Sequence, residues 1–393
     1  MNEKINFVMT SPHFPTNFET FAVRLKEKGI NTLGIADEPY ENLSQSLRDS
    51  LTEYYRVDNM DDYDQMYRAV AYFAFKYGRI DRIESHNEHW LELDAKLRTD
   101  FNVFGYNNRN IRLIKYKSTM KEVFRELNIP VAKGRVISDK ADATKLIKSL
   151  KYPVIIKPDT GVGANDTFKV KNEAELDEFY KVKRPDVPYI MEEFIDGQIV
   201  TFDGLTDRDG NIVFSSTLIN DKPILDIVTQ DTDMYYHIVR EIPKDLAEFG
   251  EKCVKAFEIK ERFFHFEFFR LKDGSLYALE VNCRPPGGAT IDMFNYANDF
   301  DIFKEYANLV KDNRFEAEIT RPYHVIYVSR KNHLNYKFTN EEIKDKYSKE
   351  LVNIVQIPGV FAKAMGDIGF IMKSPSEKKI NEMLKTIAQR QEA

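Results

Sequence analysis

The chain of 393 residues is longer than one hydrophobic core usually grows, so about two or three domains are expected, and 42% hydrophobic residues with 28 Phe and 21 Tyr exclude a disordered protein. Lys plus Arg number 57 against 63 Asp plus Glu, and the resulting net charge of −6 has the wrong sign for gripping nucleic acid or an anionic membrane. No apolar run suits a signal peptide or a membrane span, and two cysteines without a CxxC pair make no disulfide framework, so a soluble cytoplasmic protein is expected.

The opening reads as strand, helix, strand. Residues 5–9 are short and apolar, Phe18, Phe21, Ala22 and Leu25 fall at helical spacing, Gly29 stops that helix, and 32–35 extend again. This βαβ unit is Rossmann-like but has no GxGxxG after its first strand, so its expected use is holding a substrate or an interface. Helices over 66–77 and 88–97 complete a first domain, 1–114. His86-Asn87-Glu88-His89 has no neighbouring Cys and no HExxH spacing, and reads as polar helix surface rather than a metal site.

A helix then begins with Ser118 as its N-cap and carries Met120, Val123, Phe124 and Leu127 on one face, until Asn128-Ile129-Pro130 breaks it. An extended 131–138, a helix over 141–150, strands 154–157 and 168–170, and a capping box of Asn172 with Glu175 follow, an α+β alternation assigned to a small lobe, 115–190. The remainder, 191–393, forms a larger lobe whose tail alternates short strands with helices over 340–347 and 376–389.

Residues 263–270 and 275–282 are strand-like on either side of Asp273-Gly274, a strong two-residue hairpin signal. That turn sets Glu267 opposite Glu280 and His265 opposite Asn282. Alternation gathers His265, Glu267, Glu280, Asn282 and Arg284 on one face, and Phe264, Phe266, Phe268, Leu279, Val281 and Cys283 on the other, the core. Carboxylates opposed at about 5 Å repel by on the order of 3 kcal/mol at an effective dielectric of 20, so the pair calls for a cation or a shared proton. Two carboxylates and the Asn282 carbonyl are hard ligands suited to Mg²⁺ or Mn²⁺ carrying a nucleotide. Either Glu alone would read as a solvated outer face, and a bulge or longer loop would shift the pairing. Cys283 reads as inert packing and His265 as a hydrogen-bonded structural histidine.

Lys157 ends an apolar strand ahead of a loop with Gly161 and Gly163. A lysine beside a glycine loop suits phosphate neutralisation, though such loops are commonly plain turns. Residues 189–197 run from an apolar strand into Glu192, Glu193 and a turn, a pattern in which main-chain groups can read the edge of an adenine ring.

Taken together, Lys117 ahead of its helix, Tyr152-Pro153-Val154-Ile155-Ile156-Lys157-Pro158, Met191-Glu192-Glu193-Phe194-Ile195-Asp196-Gly197, Phe266-Glu267-Phe268 and Leu279-Glu280-Val281-Asn282-Cys283-Arg284 resemble the ATP-grasp superfamily in order and spacing over roughly residues 115–311. The run from Arg284 through Gly288 further resembles its carboxylate-amine ligase branch. The resemblance implies an α/β fold with an N-terminal Rossmann-like domain and a two-lobed α+β ATP-grasp unit holding the nucleotide between its lobes. It implies that Lys117 and Lys157 contact ATP phosphates, that Gly161 and Gly163 lie in the loop above them, and that Glu192, Glu193 and Ile195 frame adenine, the latter two through their backbone. Glu267, Glu280 and Asn282 would hold Mg²⁺, and Arg284 and Lys157 would act on the transferred phosphoryl group. One departure is Ile199, where many members carry an acidic ribose ligand, which leaves ribose to Gln198 or another group.

The implied activity is ATP-dependent ligation of a carboxylate, through an acyl phosphate, to an amine such as an amino acid. A thiol or bicarbonate acceptor and a non-catalytic ATP-binding regulator are the competing readings. The partners implied are small molecules, with no nucleic acid or membrane, and homodimers are common at this size. Among Asp231, Tyr235, His237 and Arg240, the sequence does not choose which lines an acceptor pocket.

Overall fold

In the computed structural model the described residues are 4–161, 166–221, 224–357 and 359–391. The N-terminal sheet is parallel, in the order Glu53–Arg56, Asn31–Ala36, Asn6–Thr10, Arg82–Glu84. Val8 aligns with Leu33 on one side and Ile83 on the other, and every residue of Asn6–Thr10 is buried, as a strand covered on both faces requires. Strand order reverses direction around Asn6–Thr10. In open α/β sheets ligands bind at such a point, outside the carboxyl ends of the strands, and here the loops leaving Thr10 and Glu84 occupy it. The helix expected over 88–97 spans Leu91–Asp100 instead, which leaves residues 85–90 as a loop, with His86 at φ +56°.

A second, antiparallel sheet has the order Gly134–Ile137, Tyr189–Glu193, Val154–Pro158, Phe168–Val170. Helices Lys140–Leu150 and Glu173–Val182 cover it, closing a core of Ile137, Ile147, Val154, Ile156, Leu176, Phe179 and Met191. The expected capping box forms by half. Asn172 accepts from the Glu175 N–H at 3.0 Å, but the Glu175 carboxylate reaches back to the Lys171 N–H rather than to that of Asn172.

Helix Lys117–Glu126 also begins differently from expectation, because Ser118 does not cap it. Asp159 does so from the end of the neighbouring strand, accepting the Ser118 N–H and hydroxyl at 2.7 Å each, while its carbonyl takes the Lys117 N–H at 2.9 Å. A carboxylate at a helix N-terminus satisfies otherwise unpaired N–H groups, and here it also ties the helix to the strand that carries Lys157.

The large sheet is antiparallel and runs Leu276–Asn282, Phe263–Arg270, Gln198–Thr206, Leu218–Asn220, Tyr235–Ile238, His324–Arg330, Ile368–Ser374, Leu351–Gln356, with Ile212–Ser216 also on Gln198–Thr206. The strands of the tail therefore extend this sheet.

The hairpin departs from its expected turn in an instructive way. Leu271 N–H reaches the Ser275 carbonyl at 2.9 Å and Gly274 N–H the Leu271 carbonyl at 3.0 Å, so the loop is Lys272-Asp273-Gly274, three residues, with Gly274 at φ +88°. Phe268 consequently faces Ala278, one position off the expected register, until a bulge at Leu279 restores Glu267 opposite Glu280 and His265 opposite Asn282. Leu279 thereby leaves the core face, where Leu276 and Ala278 are buried instead.

Candidate active site

Glu267 and Glu280 face each other on paired strands, their side chains 22% and 21% exposed, which suits a partly open cleft rather than a freely solvated face. Cations answer the mutual repulsion expected of them. Lys117 Nζ lies 3.6 Å from Glu280 Oε2, and the nearby Asn282 side chain also favours the charged form of that carboxylate. Burial pushes the Glu280 carboxyl up, but Lys117 and Lys157 outweigh it and hold the group below the usual carboxylate range.

Glu267 has a different partner. His265 Nε2 sits 3.0 Å from Glu267 Oε1, and its Nδ1 meets Asp203, which lies directly opposite on the adjoining strand and is fully buried. Burial alone would lower the imidazole, but the two carboxylates outweigh it and lift it to about 10, so both ring nitrogens carry protons and donate. His265 is thus hydrogen-bonded as expected and is also a cation between two acids. Asp203, itself receiving the Thr201 hydroxyl, is the residue sequence reading missed; its signal is a lone carboxylate between Phe202 and Leu205 in a buried strand.

Two carboxylates and an amide oxygen on one face make a hard donor set that fits Mg²⁺, whose remaining positions go to water and phosphate. Among the described residues no cluster of three His, Cys, Asp or Glu offers a self-sufficient protein cage.

The cationic side lies in the small lobe. Lys157, at the end of Val154–Pro158, is buried and meets Glu192 Oε2 at 3.2 Å; Lys121 Nζ meets Glu192 Oε1 at 2.8 Å. Burial would raise the Glu192 carboxyl, but the two lysines hold it low; burial would lower Lys157, but Glu192 and Glu280 hold it high. For Lys121 burial wins over Glu192 and the amine is pushed down. The Glu192 side chain, expected to frame adenine, is buried and paired with these two lysines. Lys121, one helical turn after Lys117 on the buried face of its helix, was not anticipated.

Lys117 also donates to the Gly161 carbonyl at 3.4 Å, so one ammonium spans the loop and the acidic face of the hairpin; Gly163 lies outside the described residues. Glu193 exchanges main-chain hydrogen bonding with Lys133, whose carbonyl accepts the Glu193 N–H at 2.9 Å and whose N–H reaches Glu193 Oε1 at 2.8 Å. Ile195 is half-buried beyond it, and Ile199 is buried, with the exposed Gln198 beside it.

Arg284 donates Nε to Glu88 Oε2 at 3.1 Å and Nη1 to the Pro285 carbonyl at 2.9 Å. Its partner overturns the reading of 86–89 as polar helix surface. Glu88 is buried, and His86 is buried too, stacked on Phe21 at 4.0 Å and pushed down to about 4 by burial. Loop residues of the first domain pack against the large lobe there, which local sequence pattern does not register. Cys283 lies in the core as expected, its thiol pushed up to about 12 by burial.

A family profile described as an ATP-grasp domain matches residues 150–292. The chain is 25% identical over 270 residues to the L-arginine-specific L-amino acid ligase of Bacillus subtilis, covering 65% of this chain and 63% of that protein. It is 22% identical over 288 residues to the carbamoyl phosphate synthase large chain of Caldanaerobacter subterraneus, covering 71% and 26%. It therefore spans less than two thirds of the length of these relatives. In fold it is similar to the L-amino acid ligase from Bacillus licheniformis, at a TM-score of 0.76 and 16% identity over 98% of this chain and 97% of that one. Residues 150–292 thus match an ATP-grasp domain, and the chain as a whole shares its fold with that ligase.

Proposed function

We propose that the protein is an ATP- and Mg²⁺-dependent ligase that activates a carboxylate as an acyl phosphate and joins it to an amine, releasing ADP and phosphate. The observation that carries this reading is the convergence of Lys117 from the small lobe on Glu280, opposite Glu267, with Lys157 close enough to feel both carboxylates. Such an alternation of acids and lysines binds a metal and a polyphosphate together better than either alone.

Lys157 and Lys117 would neutralise the phosphates, held in place beforehand by Glu192 and Glu280. Glu267, Glu280 and Asn282 would hold Mg²⁺, which supplies charge neutralisation on the phosphate oxygens. Main-chain groups of Glu193 and Ile195 would border adenine. The substrate carboxylate oxygen attacks the γ-phosphorus in line and ADP leaves; the amine nitrogen then attacks the acyl carbon, sheds a proton and expels phosphate. Nη2 of Arg284, which has no protein partner among the described residues, would meet charge developing on the phosphoryl or acyl oxygen. Alignment and charge suffice here without a protein nucleophile. The ligase names of the relatives favour amino acids as substrates.

The test is Mg²⁺-dependent ADP release in mixtures of carboxylic acids and amines, with the product mass measured. Release should require both partners, and Glu280→Gln should abolish it in a folded protein. Acid-independent ATP hydrolysis, or near-normal turnover in that variant, would overturn the reading.

A further inference from the structure

We infer that Glu88, from the N-terminal domain, is a positioning residue that sets the orientation of Arg284 for phosphoryl transfer; the inference rests on the ligase reading for its kinetic part only. The two residues stand 196 positions apart, yet Glu88 Oε2 takes Arg284 Nε at 3.1 Å with both side chains largely withdrawn from water, 7% and 16% exposed. Nη1 is occupied by the Pro285 carbonyl, so the guanidinium is held on two edges and presents the third. A planar fork fixed on two edges is a directed donor, whereas an arginine anchored only at its backbone samples several rotamers.

Glu88 is itself held. Lys115 Nζ donates to the Glu88 carbonyl at 3.1 Å and lies 3.8 Å from Oε1. The loop that carries it is pinned to helix Leu91–Asp100 by the Ser85 N–H on Asp94 Oδ2 at 2.9 Å, and closed on itself by the Asn87 N–H on the Ser85 hydroxyl at 3.2 Å. This is a built support. Because taking two charges out of water offsets much of what their attraction returns, a buried pair of this kind contributes little to stability, which favours geometry as its role. The position agrees with the sheet: the loop leaves Glu84, at the point where strand order reverses and ligands of open α/β sheets are received.

Two measurements test the inference. Glu88→Ala should lower kcat of acid- and amine-dependent ADP release by about 10²-fold, as a misplaced group does, with KM for ATP changed by less than about threefold. Arg284→Ala should cost on the order of 10³-fold, and the double variant should be no worse than Arg284→Ala, because Glu88 acts only through that side chain. Glu88→Gln, whose amide oxygen can still accept from Nε, should recover most of the loss. Multiplying losses in the double variant, or near-wild-type kcat in Glu88→Ala, would overturn the inference. Independently of turnover, the Arg284 Nε–Hε resonance, identified by its disappearance in Arg284→Lys, should exchange slowly with water in wild type and in Glu88→Gln but rapidly in Glu88→Ala. Equal exchange in wild type and Glu88→Ala refutes the tether. A protected resonance without acid-dependent turnover refutes the ligase reading and leaves the tether standing.

Discussion

Replacing Glu192 by Gln isolates the electrostatics of the small lobe. Glu192 bridges Lys121 at 2.8 Å and Lys157 at 3.2 Å, with side-chain exposures of 4%, 1% and 9% in that order. Removing one partner of a buried pair costs about 3–5 kcal/mol, chiefly because the charge left behind has no water. Lys121 has an escape, since burial already pushes it down and it can shed its proton. For a lysine of ordinary affinity that escape costs about 4.6 kcal/mol at pH 7, so the expected loss lies in the same range. The pH dependence gives the sharper test. In the variant the unfolded chain holds one more proton than the folded one, so its stability rises with pH by about 1.4 kcal/mol per unit. The deficit against wild type should therefore narrow from pH 6 to pH 8, until wild-type Lys121 begins to deprotonate as well. Wild-type Glu192 acts in the same sense in a lower window: its carboxyl is held low, so its stabilisation is present above the ordinary carboxylate range, and it fades below about pH 4. Hydrogen exchange in Val154–Pro158 and Tyr189–Glu193 measures the local opening free energy directly. An unchanged opening energy in Glu192→Gln would refute a buried, charged Lys121, and a deficit independent of pH between 6 and 8 would refute the loss of its proton in the variant.

Asp203→Asn removes the charge behind His265 and loosens the ring that steers Glu267, and if Glu267 holds Mg²⁺ as proposed, such an outer partner is commonly worth about 10–100-fold in affinity. The Mg²⁺ concentration that half-saturates ADP release should rise by that factor, and an unchanged Mg²⁺ dependence would show that Glu267 needs no support. Both cysteines are buried with their thiols pushed up, Cys283 to about 12 and Cys253 further still. A thiol reagent at pH 8 should therefore leave the native protein unmodified and label both residues in urea; rapid labelling before unfolding would contradict their burial.

Features legible in the amino-acid order are those whose partners lie close together along the chain. The facing of Glu267 and Glu280 is thirteen residues of chain and one reverse turn, and strand alternation carries it even though the loop has three residues and Leu279 bulges, two departures of opposite sense that cancel at the two carboxylates. Lys157 at a strand end, helix Lys140–Leu150 and strand Phe168–Val170 were legible for the same reason, since periodicity and turn chemistry are local. Which groups answer those charges was settled by folding in three dimensions. Asp203 reaches His265 across 62 residues, Asp159 caps a helix that begins 42 residues earlier, and Glu88 meets Arg284 across 196. A buried ion selects its partner by desolvation and geometry in three dimensions, and no spacing along the chain encodes that choice.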